Sequence, residues 1–254
     1  MINYSVLGSG SSGNSYLIGH QGEALLIDSG FSYRELKSRL EVAGYSPNQL
    51  KGLCLTHLHP DHSRGAGVFA RQSGKAVFVN EKVVQLEEVV KLNIPNPLLE
   101  TFQEGESFLL PPFEVTPFRT HHDSPNSVGF AVEVAGKRLV ILTDTGLWDE
   151  EMVSHVENSD LLFLEANYDE EMLENGPYPY FLKERIRGER GHLSNCEAIE
   201  LLNSLKRGPE KVYFCHLSKT NNHPQVVLER CNGDLEWSGE VVICHHGEQY
   251  NGTL

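Results

Sequence analysis

Short apolar runs alternate with segments of helical spacing along most of the chain. The runs have the length of a strand and several end on a polar residue; they cover residues 24–28, 52–56, 138–144, 161–165, 212–216 and 240–245. The segments of helical spacing cover residues 33–43, 66–73, 81–92, 149–156, 194–206 and 224–231. This alternation predicts a layered α/β fold.

Two stretches depart from the alternation. Residues 107–115 and 127–141 contain strand patterns with no helical pattern between them. Neighbouring parallel strands need a crossover that is usually helical, so a mixed sheet, or two sheets, fits better than a purely parallel one. No linker, repeat or shift in composition interrupts the chain, and we expect one domain over residues 1–254.

Composition and charge narrow the class of protein. The chain has 254 residues, 21 of them basic and 35 acidic, which gives a net charge of −14. No stretch approaches the ~18 apolar residues of a membrane span, and the first residues lack a signal-peptide pattern. The five cysteines form no CxxC pair, so we expect a cytoplasmic protein with reduced thiols and no membrane partner. The acidic balance disfavours nonspecific wrapping of nucleic acid, which depends on neutralising phosphates.

The glycine-rich segment 8–13 matches the GxGxxG pattern of a dinucleotide site, but its context differs. A dinucleotide site needs a helix that begins within the glycines, whereas this segment leads into a short apolar run with a strand pattern. We therefore predict a loop between two strands. A loop whose backbone amides contact a substrate phosphate is the alternative.

The strongest chemical signal lies directly after the predicted strand 52–56. Residues 56–62 read Thr-His-Leu-His-Pro-Asp-His and contain four candidate metal ligands: His57, His59, Asp61 and His62. The two histidines at extended spacing point the same way, and the proline then lets the aspartate and the last histidine turn towards a second metal. Imidazole and carboxylate ligands without cysteine suit Zn²⁺, Mn²⁺ or Fe²⁺.

This segment has the HxHxDH form of the metallo-β-lactamase superfamily, and the chain resembles that superfamily over most of its length. A later histidine, an aspartate at a strand end and a final histidine follow in order as His122, Asp144 and His216. The resemblance implies an α/β fold, a four-layer αββα sandwich with two mixed sheets, and a site for two divalent metal ions at one edge.

The resemblance also implies which residues hold each ion. The first ion would be held by His57, His59 and His122, and the second by Asp61, His62 and His216, with Asp144 bridging them. Asp28 is similar to an upstream aspartate that braces the metal loop. His121 is an alternative to His122, because the sequence does not say which neighbour points inward. The other histidines, His20, His155, His223, His245 and His246, are expected to be surface or core residues.

Two further elements resemble ribonuclease Z-like nucleases. Glu165 stands in Leu-Glu-Ala-Asn-Tyr and His192 in Gly-His-Leu-Ser-Asn, just before a predicted helix. The resemblance implies that His192 donates a proton to the leaving oxygen, or stabilises charge there, while Glu165 fixes its tautomer. Together with Asp61 they form the catalytic set that we expect.

Residues 190–195 and 216–224 are similar to the YycJ/WalJ-like subgroup of bacterial metallo-β-lactamase-fold exonucleases. That subgroup is associated with 5′-to-3′ degradation of DNA and with mismatch repair. The resemblance implies a 5′-to-3′ DNA exonuclease that attacks with a hydroxide held between two metal ions. It implies a nucleic acid partner, DNA in the first place, and leaves a repair-protein partner and the oligomeric state open.

Candidate substrate contacts flank the predicted site. Residues 183–190 contain four basic and two acidic side chains, so this run is locally positive in an acidic chain. We expect phosphate contacts from Arg187 and Arg190, with a solvated helix face as the equal alternative. Weaker candidates for a phosphate or a terminal nucleotide follow the last ligand: Ser218, Asn221 and Asn222.

Three other functions compete with a DNA exonuclease. An RNA-processing nuclease, and a small-molecule hydrolase of cyclic phosphodiesters, lactones or thioesters, would both use the same ligands. A binding protein that has lost the chemistry is disfavoured, because the whole ligand set is intact.

Overall fold

The computed structural model describes residues 1–254, whose strands form two seven-stranded sheets. The first sheet has the order β14-β1-β2-β3-β4-β5-β6. Its strands are β1 (Ile2–Gly8), β2 (Ser15–His20), β3 (Glu23–Ile27), β4 (Leu50–Cys54), β5 (Val77–Asn80), β6 (Leu99–Phe102) and β14 (Tyr250–Thr253).

The second sheet has the order β13-β12-β11-β10-β9-β8-β7. Its strands are β7 (Phe108–Leu110), β8 (Phe113–Arg119), β9 (Val128–Val134), β10 (Lys137–Leu142), β11 (Leu161–Glu165), β12 (Lys211–Cys215) and β13 (Glu240–Ile243). Each sheet is mixed: β14-β1-β2-β3 and β7-β8-β9-β10 are antiparallel, whereas β3-β4-β5-β6 and β10-β11-β12-β13 are parallel. The prediction of two mixed sheets is confirmed.

Nine helices accompany the two sheets. They are α1 (Tyr33–Val42), α2 (Pro60–Ser63), α3 (Ala66–Ser73), α4 (Glu87–Leu92), α5 (Glu150–Val156), α6 (Glu170–Asn175), α7 (Tyr180–Arg187), α8 (Asn195–Ser204) and α9 (Pro224–Asp234). Short 3₁₀ turns occupy Pro47–Gln49, Glu81–Val83 and Asn96–Leu98. None of the helices combines the length and the apolar character that a membrane crossing requires.

Three apolar layers hold the sandwich together. In β11, Leu161 and Phe163 belong to the cluster between the sheets, while Leu162 and Leu164 belong to the cluster under α5, α8 and α9. Because side chains alternate across a strand, a strand that is buried on both faces is apolar throughout, as this run is. The third cluster fills the space between the first sheet and α1 and α3.

The structure differs from two sequence predictions in instructive ways. The continuous helix predicted over residues 81–92 is wrong: a 3₁₀ turn and α4 replace it, with Leu86 extended between them. Val83 and Val89 are both buried, and an unbroken helix would turn them about 120° apart, so the chain breaks to bury both. Helices α6 and α7 were not predicted.

Several strands also end before the polar residue that the prediction included. Asp28, Asp144 and His216 follow β3, β10 and β12 with φ of 60°, 60° and 54°. This left-handed conformation is uncommon for residues other than glycine and ends the strand. Three polar side chains are thereby placed at strand ends.

Candidate metal centre

The candidate ligands lie in the segments that follow four strands of the two sheets. His57, His59, Asp61 and His62 follow β4, His122 follows β8, Asp144 follows β10 and His216 follows β12. Most of their side chains are buried, although His59 and Asp61 are partly exposed. The sandwich therefore gathers, at one place, residues that are far apart in sequence.

The structure brings the ligands together in the two groups that the sequence suggested. The ligand atoms of His57, His59 and His122 all lie within 4.8 Å of one another. Those of Asp61, His62 and His216 form a second group with the same limit. Three imidazoles, and two imidazoles with a carboxylate, are donor sets typical of catalytic metal sites.

Asp144 lies between the two groups. One carboxylate oxygen is 3.3 Å from Nε2 of His62, in the second group, and the other is 3.7 Å from Nε2 of His122, in the first. The same oxygen that faces His122 is 3.6 Å from Nδ1 of His216. A single carboxylate therefore contacts members of both groups, as a bridging ligand must.

Unsatisfied atoms test whether the residues fit a metal. Nε2 of His57, Oδ2 of Asp144 and Nε2 of His216 are buried and make no hydrogen bond. Buried polar atoms nearly always have a partner, so each such atom needs an explanation. A divalent cation supplies that partner, and the site fits divalent metal binding.

The pKa values of the histidines in the cluster also fit a metal site. Burial lowers the pKa of His57 well below its ordinary value. Although burial opposes it, the carboxylates of Asp144 and Asp28 raise the pKa of His62 to about 9, and Asp144 raises the pKa of His216 well above its usual range. Imidazole binds metal in its neutral form, so a divalent cation would displace these protons. The same carboxylates would then stabilise the charge of the cation.

Asp28 braces the metal loop as the resemblance implied. One oxygen accepts a hydrogen bond from the backbone N–H of Thr56 at 2.8 Å, and the other accepts one from the Thr56 hydroxyl at 2.7 Å. The second oxygen also lies 2.7 Å from Nδ1 of His62. This contact directs Nε2 of His62 towards the cluster, which is how outer carboxylates orient metal-binding histidines.

The glycine-rich loop has a role that the sequence did not reveal. It joins β1 to β2, so the predicted loop between strands is confirmed. The Asn14 amide lies 2.9 Å from Nε2 of His62 and 3.3 Å from Asp61, and the Ser9 hydroxyl accepts a hydrogen bond from the backbone of His216 at 2.6 Å. The loop thus supports the candidate ligands, and only the unusual glycine content marked it.

Gly30 shows how closely the supporting loops approach the ligand segment. A Cβ at this position would lie 1.7 Å from the backbone oxygen of Asp61. No side chain fits there, so glycine is required by the close approach.

The structure distinguishes His122 from its neighbour His121. His122 is buried, with Nδ1 2.9 Å from the Gly191 carbonyl and Nε2 3.1 Å from His59. His121 turns away from the cluster, and its Nε2 lies 2.7 Å from Asp149. His122 is therefore the neighbour that faces the candidate metal site.

His192 lies beside the cluster, held by Glu165. Its Nδ1 is 3.1 Å from Glu165, and its ring centre is 5.0 Å from that of His122 and 5.3 Å from that of His216. Glu165 is fully buried and also accepts a hydrogen bond from the backbone of Thr145 at 2.7 Å. This pairing leaves Nε2 of His192 as the free nitrogen of the ring.

The three predicted substrate contacts after the last ligand are all buried. Asn222 is buried, and its amide bonds to the Ala166 carbonyl, to Asn195 and to the backbone of His223. Its hydrogen-bonding capacity is used inside the protein, so the structure gives its predicted contact with substrate no support. Asn221 and Ser218 are buried as well, and the Ser218 hydroxyl accepts a hydrogen bond from the Asn221 backbone at 3.1 Å.

The two arginines of the basic run that were predicted to contact phosphate differ in their ion pairing. Arg187, at the end of α7, pairs with Glu184 at 2.8 Å and with Glu174 at 3.0 Å. Arg190 has no carboxylate within ion-pair distance, and its Nε donates to the His122 carbonyl at 3.2 Å. Of the two predicted contacts, only Arg190 keeps an unpaired charge next to the cluster.

Comparisons with known proteins add to this geometry. Residues 23–217 match the family described as the β-lactamase superfamily domain. The chain is 35% identical over 240 residues to exodeoxyribonuclease WalJ of Streptococcus pneumoniae, covering 91% of this chain and 89% of that protein. It is 31% identical over 239 residues to exodeoxyribonuclease YycJ of Bacillus anthracis, covering 94% and 90%. The crystal structure of the metallo-β-lactamase fold protein YhfI from Bacillus subtilis is similar, with a TM-score of 0.74, 21% identity and 99% of each chain covered.

Proposed function

The chain belongs to the metallo-β-lactamase superfamily and is a metal-dependent hydrolase, and we propose that it is an exonuclease that degrades DNA from the 5′ end. The relatives WalJ and YycJ are exodeoxyribonucleases by name, and they align with nearly the whole chain. Their names support a nucleic acid substrate. DNA rather than RNA, and the 5′-to-3′ direction, belong to the proposal.

The observation that carries the proposal is the His192–Glu165 pair beside the two ligand groups. Two divalent ions, when bound, lower the pKa of a water between them and stabilise charge on the attacking and leaving oxygens. That chemistry serves many substrates, so the metal ligands alone do not select one. A histidine oriented by a buried carboxylate adds a proton donor for a leaving oxygen, as phosphodiester cleavage requires.

Each residue then has a defined task. We propose that the first ion is held by His57, His59 and His122, the second by Asp61, His62 and His216, and both by Asp144. Glu165 holds Nδ1 of His192, so the protonated ring presents its Nε2–H to the leaving oxygen. Zn²⁺, Mn²⁺ and Fe²⁺ all suit these donors.

We propose further that residues 1–254 work as one catalytic domain in the cytoplasm. All five cysteines are free, and four of them are buried, which agrees with a reducing compartment. A repair protein is the partner class that the proposed activity suggests.

The test uses one DNA sequence labelled either at its 5′ end or at its 3′ end, with RNA of the same sequence, in Mn²⁺ or Zn²⁺. We expect the 5′ label to be released at once as a short product, while 3′-labelled DNA shortens progressively. The matched controls are His122→Ala, which should be inactive, and His20→Ala, which should remain active because His20 lies at the end of β2 opposite to the glycine-rich loop.

Three outcomes would overturn the proposal. Faster cleavage of the RNA would favour an RNA-processing nuclease, and cleavage confined to small phosphodiesters, lactones or thioesters would favour a small-molecule hydrolase. Release of nucleotides from the 3′ end would reverse the proposed direction.

A further inference from the structure

A groove beside His122 lies outside every role assigned so far. It has a volume of about 610 Å³ and is formed by the end of β8, the loop that follows it and the turn before His192. The 3₁₀ turn at Glu81–Val83 completes its wall with Lys82. His122 is the one candidate metal ligand in the lining, so the groove adjoins the metal centre on the His122 side.

Three cations in this groove have no carboxylate partner. Lys82, Arg119 and Arg190 line it, and none of them has a carboxylate within 4.0 Å. Lys82 and Arg119 are exposed and make no side-chain hydrogen bond, whereas Arg190 donates to the His122 carbonyl. Unpaired cations facing one cavity favour an anionic ligand.

The balance of charge in the groove differs from that of the chain. Its charged lining also includes Glu104 and Glu189, so three cations and two carboxylates leave a formal charge of +1, against −14 for the whole protein. The lining is therefore slightly positive within an acidic molecule, and it adjoins the site where a phosphate would react.

The lining also indicates which part of a nucleic acid would bind. Only one of its 13 residues, Leu147, is hydrophobic, and it contains no phenylalanine, tyrosine or tryptophan. Proteins that hold bases of a single strand stack them on aromatic rings, whereas contacts to phosphates come from arginine, lysine and polar groups. The volume is that of a small-ligand pocket, which suits a single strand rather than a duplex.

We propose that this groove binds the sugar–phosphate backbone of the single DNA strand next to the phosphate that is cleaved. Lys82, Arg119 and Arg190 contact the phosphates, and binding is independent of base sequence. This inference rests on the proposed nuclease function and places the substrate on the His122 side of the centre.

The test compares two double variants that lose the same charge. Lys82→Ala/Arg119→Ala removes two groove cations. The control, Lys206→Ala/Arg207→Ala, removes two exposed cations that precede β12, at the strand end opposite to His216. Binding of a fluorescein-labelled, phosphorothioate-linked oligothymidylate to the metal-loaded proteins is followed by anisotropy over a series of salt concentrations. Thermal unfolding checks that each variant is folded.

We expect the groove variant to bind about tenfold more weakly at low salt, with the slope of log K against log[salt] reduced by about 1.4, since each phosphate contact on a single strand contributes about 0.7. The control should keep the slope of the wild type. An unchanged slope in the groove variant, or an equal loss in the control, would overturn the inference.

The failure of the inference and that of the proposed function are distinguishable. If the wild type degrades DNA while the groove variant binds normally, the groove is not the strand site and the nuclease function stands. If the wild type degrades no nucleic acid, the nuclease function falls, whatever the binding curves show, and the groove falls with it as a substrate site.

Discussion

The metal centre and helix α7 both concentrate ionisable side chains, but they satisfy them differently. In the centre, buried atoms of His57, Asp144 and His216 have no hydrogen-bond partner. On α7, Arg185 pairs with Asp123 at 2.5 Å, and Arg187 pairs with Glu174 and Glu184. The centre is incomplete without a cation, whereas the helix is largely neutralised by its own protein.

This difference indicates where a ligand is expected to bind. An unpaired polar atom in a buried site costs free energy unless something binds it, so it marks a ligand position more reliably than a high density of charge. The cations of the groove, Lys82, Arg119 and Arg190, have no carboxylate partner, so the groove is a better candidate for phosphate contacts than α7. The variants below test the contrast.

The largest effect is expected at Asp144. Asp144→Asn removes the carboxylate that contacts both ligand groups, so kcat/KM on DNA should fall at least about a thousandfold, beyond the 10–100-fold typical of residues that only orient ligands. The matched control is Asp149→Asn, which keeps a capping side chain on α5 and should stay within about threefold of the wild type. Comparable activity of Asp144→Asn and the wild type would show that Asp144 is not a bridging ligand.

The next effect is expected at His192, which lies outside the two proposed ligand groups. His192→Ala should lower kcat by about 10²–10⁴-fold, the usual contribution of a general acid, with little change in KM. Glu165→Gln should lower kcat in the same sense, because an amide can no longer hold the Nδ1–H as a carboxylate does. Steady-state kinetics measures both constants, and thermal unfolding checks that each variant is folded; a rise in KM at constant kcat would show that His192 only binds substrate.

A smaller effect, on metal affinity, is expected at Asp28. Asp28→Asn weakens the contact that orients His62, and we expect metal affinity to fall about 10–100-fold. Competition with a chromogenic chelator measures this. Activity should recover at high metal concentration, unlike that of Asp144→Asn; a variant that stays inactive in excess metal would contradict a purely supporting role.

The smallest effect is expected at Arg187. Arg187→Ala breaks exposed ion pairs, which contribute about 0–1 kcal/mol each, so stability and KM for DNA should change little. Thermal unfolding and KM measure both. A tenfold rise in KM would show that α7 binds substrate despite its internal pairs, and would break the contrast between the two regions.

The sequence predicted the fold well because strands and helices leave local signals, and it located the candidate ligands because they occur in a fixed order along the chain. Alternating strands and helices appear as runs of a few residues, and four ligands fall within six positions, His57 to His62. The predicted strands extended too far along the chain. Asp28 and Asp144 continue an apolar run, but they adopt a left-handed backbone conformation that no propensity scale anticipates.

The substrate contacts were harder because they depend on pairing across the fold. Arg187 is neutralised partly by Glu174, which is 13 positions away, and Asn222 is occupied by Asn195 and the Ala166 carbonyl. Asn14 contacts His62 through a loop 48 positions earlier. No local pattern reveals such partners.

The central claim, that these ligands form one two-metal centre, is tested most directly by metal content. The wild type, His59→Ala, His216→Ala and the control His121→Ala are loaded with Mn²⁺ or Zn²⁺, dialysed and measured by inductively coupled plasma mass spectrometry. The account predicts about two equivalents in the wild type and in His121→Ala, and about one in each ligand variant. A wild type that retains no divalent metal, or ligand variants that bind as much as the wild type, would contradict it.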